Sequence, residues 1–132
     1  MKPLRLVLRW QAVLWAASGF AVVAAPGWVV EVGLGQPALG EDAWVRLAGV
    51  LSIALAAQMV LVARRVEELW WWSWTFVLLE VATALVVVLN ALVGLSPDAA
   101  AWPLWTRGIV NAGLAGLEIA ALAKAGTERS PL

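Results

Sequence analysis

Four polar side chains with the potential for acid–base or binding chemistry interrupt two of the apolar segments of this chain. Glu80 lies within an almost unbroken Leu/Val/Ala segment, and Arg107, Asn111 and Glu118 interrupt another. On a helix these last three fall on one face, within roughly 40° of one another. A helical apolar segment of about 20 residues is long enough to span a bilayer. A charge at the centre of a bilayer costs about 3 kcal/mol, so polar residues within such segments are expected to face the interior of a helix bundle or a cavity. We therefore expect Glu80 to meet this polar stripe, with its partner either Arg107 or, through Asn111, the last apolar helix generally.

The depth of each polar residue follows from its distance along a helix from the expected membrane boundary, at about 1.5 Å per residue. Glu80 falls near the midplane, and we expect two polar layers on either side of it. The outer layer contains Arg46, Arg107 and Asn111, with Asn90 nearby. The inner layer contains Arg9, Gln58 and Glu118. Two interpretations stay open: buried pairs that fix helix register, or a cavity in which Glu80 takes up protons or contacts a ligand.

The amino-acid composition excludes several kinds of site. The chain contains no His, Cys or Tyr, which excludes thiol chemistry, Cys/His zinc sites, His-ligated haem and a histidine general base. We accordingly expect no metal site and no cofactor, and we assign no catalytic residues. The formal net charge is zero, so the chain lacks the basic surface that nucleic-acid binding requires.

Composition and hydropathy instead indicate a membrane protein. Of the 132 residues 63% are hydrophobic and 14% are charged, whereas soluble domains carry about 25% charged residues. Apolar segments of about 20 residues are long enough to span a bilayer. We expect helices over about 4–25, 44–63, 70–95 and 102–124, and an interfacial outer loop over the Gly/Pro-rich residues 26–43. The predicted fold is all-α: one membrane domain, residues 1–132, forming an integral membrane four-helix up-and-down bundle.

The first apolar segment also has the features of a signal peptide, with a basic start and small residues before position 26. Pro26 directly follows the would-be cleavage point, and apolar residues extend the segment upstream to spanning length. These flanks favour a retained helix.

The distribution of charged residues predicts the orientation of the four spans. Lys and Arg occur at the N-terminus, at the Arg64/Arg65 turn and near the C-terminus. In the other two connections all the charged residues are acidic. Because basic residues stay on the cytoplasmic side, we expect a multi-pass protein of the cell membrane with both termini in the cytoplasm. Most of the ten Trp residues fall at the expected interfaces, as an aromatic belt would.

Small residues recur at every fourth position of the last span, at Gly108, Ala112, Gly116 and Ala120. Such rows allow membrane helices to approach closely, so we expect this row to face another helix. The third span carries no such row, and we expect it to expose the most surface to lipid.

Three groups of residues resemble the DoxX-like small four-helix membrane proteins of bacteria. They are Pro26-Gly27 after the first span, Trp44-Val45-Arg46-Leu47-Ala48-Gly49 at the start of the second, and Ala63-Arg64-Arg65 at its end. The resemblance covers about the first half of the chain. It implies a four-helix up-and-down bundle, in a group whose members are mostly uncharacterised or linked to membrane redox complexes. No functional residue is carried over from it.

Three classes of function stay open at this point. The first is a non-enzymatic membrane protein, either an accessory subunit of a larger membrane complex or a bundle that binds membrane lipid or another hydrophobic small molecule. The second is a small homo-oligomeric transporter or channel component that uses Glu80. The third is a lipid isomerase-like membrane enzyme in which Glu80 and Glu118 act as acid and base.

Overall fold

The computed structural model describes residues 1–128, and four long helices account for most of them. They are α1 (Lys2–Ala24), α2 (Ala43–Arg64), α3 (Ser73–Val93) and α4 (Trp102–Glu128). A short helix (Val66–Leu69) and a 3₁₀ turn (Trp70–Trp72) lead into α3, so that the third span runs over Val66–Val93. Each of the four spans is long and apolar enough to cross a membrane. The described residues contain no strand, which confirms the predicted all-α four-helix bundle of a multi-pass membrane protein.

The helices begin and end where the sequence provides local signals. Pro3 lies in the first turn of α1 and Pro103 in the first turn of α4, where the missing proline N–H costs no hydrogen bond. Arg46 in the first turn of α2 contacts the preceding Asp42 through a 3.1 Å ion pair. The backbone N–H of Gly94 closes α3 on the carbonyl of Asn90 at 3.0 Å.

The four helices are not equally in contact with one another. α1 packs most extensively against α2 and also contacts α4, while α3 packs mainly against α4. α2 and α3 have little contact. Helix α1 therefore joins the two antiparallel pairs, α1–α2 and α3–α4, into one bundle.

The apolar core lies toward one end of the bundle. We call this the basic end, because Arg5, Arg65 and Lys124 lie there, and we call the opposite end, which carries residues 26–42, the loop end. At the basic end the guanidinium of Arg5 donates to the carbonyl of Ala63 at 3.2 Å and pairs with Glu67 at 3.5 Å. The buried core residues of this half are Leu4, Leu8, Ala12, Ala56, Met59, Val62, Ala63, Val66, Phe76, Val77, Ala121 and Leu122.

Toward the loop end the helices are held by close backbone approach. A Cβ on Gly19 of α1 would lie 2.7 Å from the carbonyl oxygen of Gly49 on α2, and a Cβ on Gly49 would lie 2.8 Å from that of Gly19. In α4, a Cβ on Gly108 would lie 2.8 Å from Val88 of α3. At Gly19 and Gly49 only glycine permits these separations without a shift of the backbone, whereas at Gly108 a Cβ would displace the Val88 side chain.

The prediction that the small-residue row of α4 faces another helix is correct at Gly108 and wrong at the other three positions. Ala112, Gly116 and Ala120 are exposed on the lipid-facing side, and a Cβ on Gly116 would meet no atom within 4 Å. An alanine-rich helix offers several such rows, and spacing alone does not show which of them faces a neighbour. The expectation for the third span is confirmed, since it is the least buried of the four.

The predicted outer loop is partly helical. Its first part forms a short helix (Pro26–Trp28) and a π-helical turn (Val29–Gly33). Gly35 then adopts a φ of +63°, which favours glycine, and its carbonyl accepts a 2.7 Å hydrogen bond from the N–H of Ala100. The loop is thereby fixed against the segment that precedes α4.

We expect Gly19→Ala to destabilise the bundle by about 1–3 kcal/mol, because the added methyl group must displace the α2 backbone. The free energy of unfolding would be measured in detergent by circular dichroism. Gly116→Ala is the matched control: it also replaces a helical glycine, at a site with free space, and should leave stability unchanged or slightly increased. Equal effects of the two substitutions would contradict the close contact between α1 and α2.

Candidate functional site

A cluster of buried polar side chains lies inside the bundle and is contributed by three helices. Gln11 of α1, Glu80 of α3 and Glu118 of α4 have no exposed surface. The side-chain amide of Gln11 donates from Nε2 to Glu118 Oε2 at 2.9 Å. The two carboxyl groups are close enough to interact electrostatically. The side chain of Gln11 therefore connects α1 to the acidic residue of α4 inside the bundle.

Trp15, one turn further along α1, makes the second contact with this cluster. Its indole Nε1 donates to Glu80 Oε1 at 2.7 Å. The predicted pairing of Glu80 with Arg107 is wrong as a direct contact, since the described residues form no ion pair with Arg107 within 4.0 Å. The guanidinium instead acts on Glu80 as a more distant positive charge. We refer to Gln11, Trp15, Glu80 and Glu118 as the polar cluster.

Five buried polar side-chain atoms of the described residues have no hydrogen-bond partner in the protein, and three of them belong to the polar cluster. They are Gln11 Oε1, Ser73 Oγ, Glu80 Oε2, Asn111 Nδ2 and Glu118 Oε1. An unpaired polar group away from water costs about 1–3 kcal/mol, and most such groups in folded proteins are paired. This concentration of unpaired atoms in a small bundle marks the region as the candidate site.

A cleft between α1 and α4 leads from the membrane-facing surface toward the polar cluster. Its volume is about 260 Å³. Leu14 and Val110 lie at its rim and are 43% and 46% exposed, so the cleft opens laterally, toward lipid. We call it the lateral cleft. Its lining consists of Leu14, Trp15, Ser18, Gly33, Leu34, Trp102, Pro103, Thr106, Arg107, Val110, Asn111 and Leu114.

The lateral cleft and the polar cluster share Trp15. One part of its side chain lines the cleft, and its indole N–H is bonded to Glu80. Asn111 is 3% exposed, lines the cleft and presents an unpaired Nδ2. Arg107 is half-buried beside it. The cleft thus combines largely apolar walls with hydrogen-bond donors, a combination typical of small-molecule sites.

The structure brings together four of the eight residues singled out from the sequence. Glu80, Asn111 and Glu118 are buried, and Arg107 lies half-buried at the same α1–α4 face. Arg46 is exposed at the loop end, where it pairs with Asp42 and donates to the carbonyl of Val23 at 2.6 Å. Arg46 therefore connects the start of α2 to the end of α1 and lies outside the cluster.

The predicted inner layer of Arg9, Gln58 and Glu118 is wrong, as is the placement of Asn90 beside the outer layer. Arg9, Gln58 and Asn90 are all exposed, and the amide of Asn90 donates to the carbonyl of Val86 on its own helix. Depth was predicted from position along the helix, but burial also depends on the direction in which the residue points. Each of these three residues lies about 100° or more around its helix from the buried face.

Sequence reasoning missed Gln11 and Trp15. The available signal was helical periodicity, because Leu4, Leu8, Gln11 and Trp15 recur at spacings of four, three and four residues. These residues fall within about 60° on one face of α1. An amide that shares a face with two leucines in a membrane helix points into the bundle.

Comparison with protein-family models, with curated proteins and with solved structures found no match. Among residues 1–128, no group of three or more His, Cys, Asp or Glu side chains is arranged to hold a metal ion. The side chains of the polar cluster offer hydrogen bonding and exchange of protons at two carboxyl groups.

We expect Trp15→Phe to destabilise the protein by about 1–3 kcal/mol, because it leaves Glu80 Oε1 buried without its donor. Trp10→Phe is the matched control, since Trp10 lies on the same helix, is 60% exposed and is not a member of the polar cluster. It should change stability by less than about 0.5 kcal/mol. Unfolding in detergent, followed by circular dichroism, measures both. If Trp15→Phe is as mild as Trp10→Phe, the hydrogen bond to Glu80 does not contribute to stability.

Proposed function

We propose that this protein binds a lipid or another hydrophobic small molecule within the membrane, and that the ligand occupies the lateral cleft. The observation that supports this most directly is the unpaired Nδ2 of Asn111, which is buried in the lining of a largely apolar cleft. Lipid acyl chains cannot accept a hydrogen bond from it. A ligand with an apolar body and a hydrogen-bond acceptor would pack against the apolar walls and accept a hydrogen bond from the amide of Asn111.

The distribution of polarity supports binding in preference to transport along a path between protomers. Glu80, Glu118 and Asn111 are buried within a single bundle, whereas a path between protomers requires such groups on the outer surface. Many large apolar side chains on the four helices are exposed, as solvation by lipid demands. An accessory role in a larger membrane complex is compatible with the same binding site.

The orientation of the bundle is part of the proposal. We propose that the basic end faces the cytoplasm, because Lys and Arg concentrate there, and that the loop end faces outward. The lateral cleft, which includes Gly33 and Leu34 of the outer loop, then lies in the outer leaflet of a bacterial cell membrane. The resemblance of the first half of the chain to DoxX-like proteins is consistent with such a bundle.

Occupancy of the lateral cleft can be tested by blocking it. We expect gently purified protein to retain a bound amphiphile in native mass spectrometry, and Val110→Trp to reduce the bound fraction about ten-fold, because the larger side chain fills the cleft. Ile109→Trp is the matched control, since Ile109 is adjacent and 69% exposed but does not line the cleft. Equal ligand retention by both variants, or none in the unmodified protein, would exclude the proposed site.

The orientation can be tested by single-cysteine labelling, because the chain has no native cysteine. Asp98→Cys, at the loop end, should react with a membrane-impermeant maleimide in intact cells. Glu67→Cys, at the basic end, should react only after the membrane is permeabilised. The reverse pattern would show that the basic end faces outward.

A further inference from the structure

We propose that the ligand of the lateral cleft is a single-chain amphiphile with an acidic head, a carboxylate or a phosphate, held by Arg107 and Asn111. This inference rests on the proposed function, because it names the chemical class that the same cleft selects. It follows from three properties of the cleft: which hydrogen-bond donors are free, which charges lie nearby, and how much space is available.

Several side-chain donors line the cleft, and three of them are already bonded within the protein. The hydroxyl groups of Ser18 and Thr106 donate to the carbonyls of Leu14 and Trp102 on their own helices, and the indole N–H of Trp15 is bonded to Glu80. The groups that can still donate are the guanidinium of Arg107, the buried amide of Asn111 and the indole N–H of Trp102, whose side chain is 70% exposed. A ligand that pairs with the two less exposed donors, Arg107 and Asn111, must present acceptor oxygens.

The charges around the cleft favour an anion. Arg107 is the one charged residue in the lining that the structure describes. The carboxyl groups of Glu80 on α3 and Glu118 on α4 are buried and do not line the cleft. Glu80 is bonded to Trp15 and Glu118 to Gln11, and neither forms an ion pair with Arg107 in the described chain. The planar guanidinium is therefore available to a carboxylate or phosphate, which it binds in a bidentate geometry.

The space in the cleft admits one hydrocarbon chain. Sites for drug-sized ligands enclose about 300–1,000 Å³, and the lateral cleft encloses about 260 Å³. Its apolar walls, which include Leu14, Val110 and Leu114, open toward lipid, so a longer chain can continue into the membrane. A two-chain phospholipid would leave one chain outside the cleft, whereas a fatty acid or a lysophospholipid can place its head and the first part of its single chain inside it.

The test uses the full-length protein in nanodiscs and three photoreactive probes with the same diazirine-bearing sixteen-carbon chain. The probes are a palmitic acid, a lysophosphatidic acid and a hexadecanol. After irradiation, peptide mapping by mass spectrometry locates the crosslinks. We expect the two acidic probes to label the cleft residues of α1 and α4 at least about ten-fold more than the alcohol, because a charge-assisted hydrogen bond contributes that factor or more. Preference for one acid over the other distinguishes a carboxylate from a phosphate ligand.

Variants separate recognition of the head from packing of the chain. Arg107→Gln should reduce labelling by the acidic probes about ten-fold and leave labelling by the alcohol unchanged. Arg107→Lys, which keeps the charge but loses the bidentate geometry, should give an intermediate loss and controls for failure to fold. Arg9→Gln is the matched control, because Arg9 is an exposed arginine in the membrane-spanning part of α1 and should have no effect.

The outcomes that overturn the inference differ from those that overturn the proposed function. If the alcohol labels the cleft as strongly as the acids, or if Arg107→Gln reduces labelling by all three probes equally, the cleft binds amphiphiles without selecting an acidic head. If none of the probes labels the cleft while each labels the lipid-facing residues, no amphiphile occupies the cleft and the proposed function fails with the inference.

Discussion

The hydrogen bonds that α1 makes to the two buried glutamates are the constraint on which the arrangement of the bundle depends. Lipid offers side chains no hydrogen-bond partners, so a polar group in a membrane helix must find its partner in the protein. Gln11 supplies one to Glu118 on α4, and Trp15 supplies one to Glu80 on α3. Rotation of α1 about its axis would leave both carboxyl groups without these donors. The two bonds therefore fix the rotation of the helix that joins the two antiparallel pairs.

Packing divides the bundle into a closed half and an open half. At the basic end the four helices contribute one continuous apolar core, and Arg5 joins the start of α1 to the end of α2. Toward the loop end, the contact between Gly19 and Gly49 holds α1 close to α2. Because α1 is drawn toward α2 there, space is left on its other side, between α1 and α4. The outer loop, fixed through Gly35 and Ala100, borders this space and does not fill it.

The four membrane-spanning helices could be predicted from the sequence. The residues that each polar side chain contacts in the folded bundle could be predicted less well. Hydropathy is a property of each segment alone, so four spans and a buried Glu80 follow from composition and length. The rotation of each helix is a property of the assembled bundle. The burial of Glu118 and Asn111 could be predicted because Arg107 shares their face, and three polar residues on one face define a direction. Gln58 and Asn90 are isolated polar residues on their helices, and a single residue at a suitable depth does not define a direction.

The positions of the unpaired atoms indicate how the polar cluster and the lateral cleft are related. The two glutamates have already accepted hydrogen bonds from α1, and each retains one oxygen without a partner inside the bundle. Asn111 and Arg107, on the cleft side, supply donors. Acceptors are therefore unpaired in the interior, whereas donors are available at the opening. The acidic head that we propose for the ligand would therefore meet the positive charge of Arg107 before it reached the buried carboxyl groups.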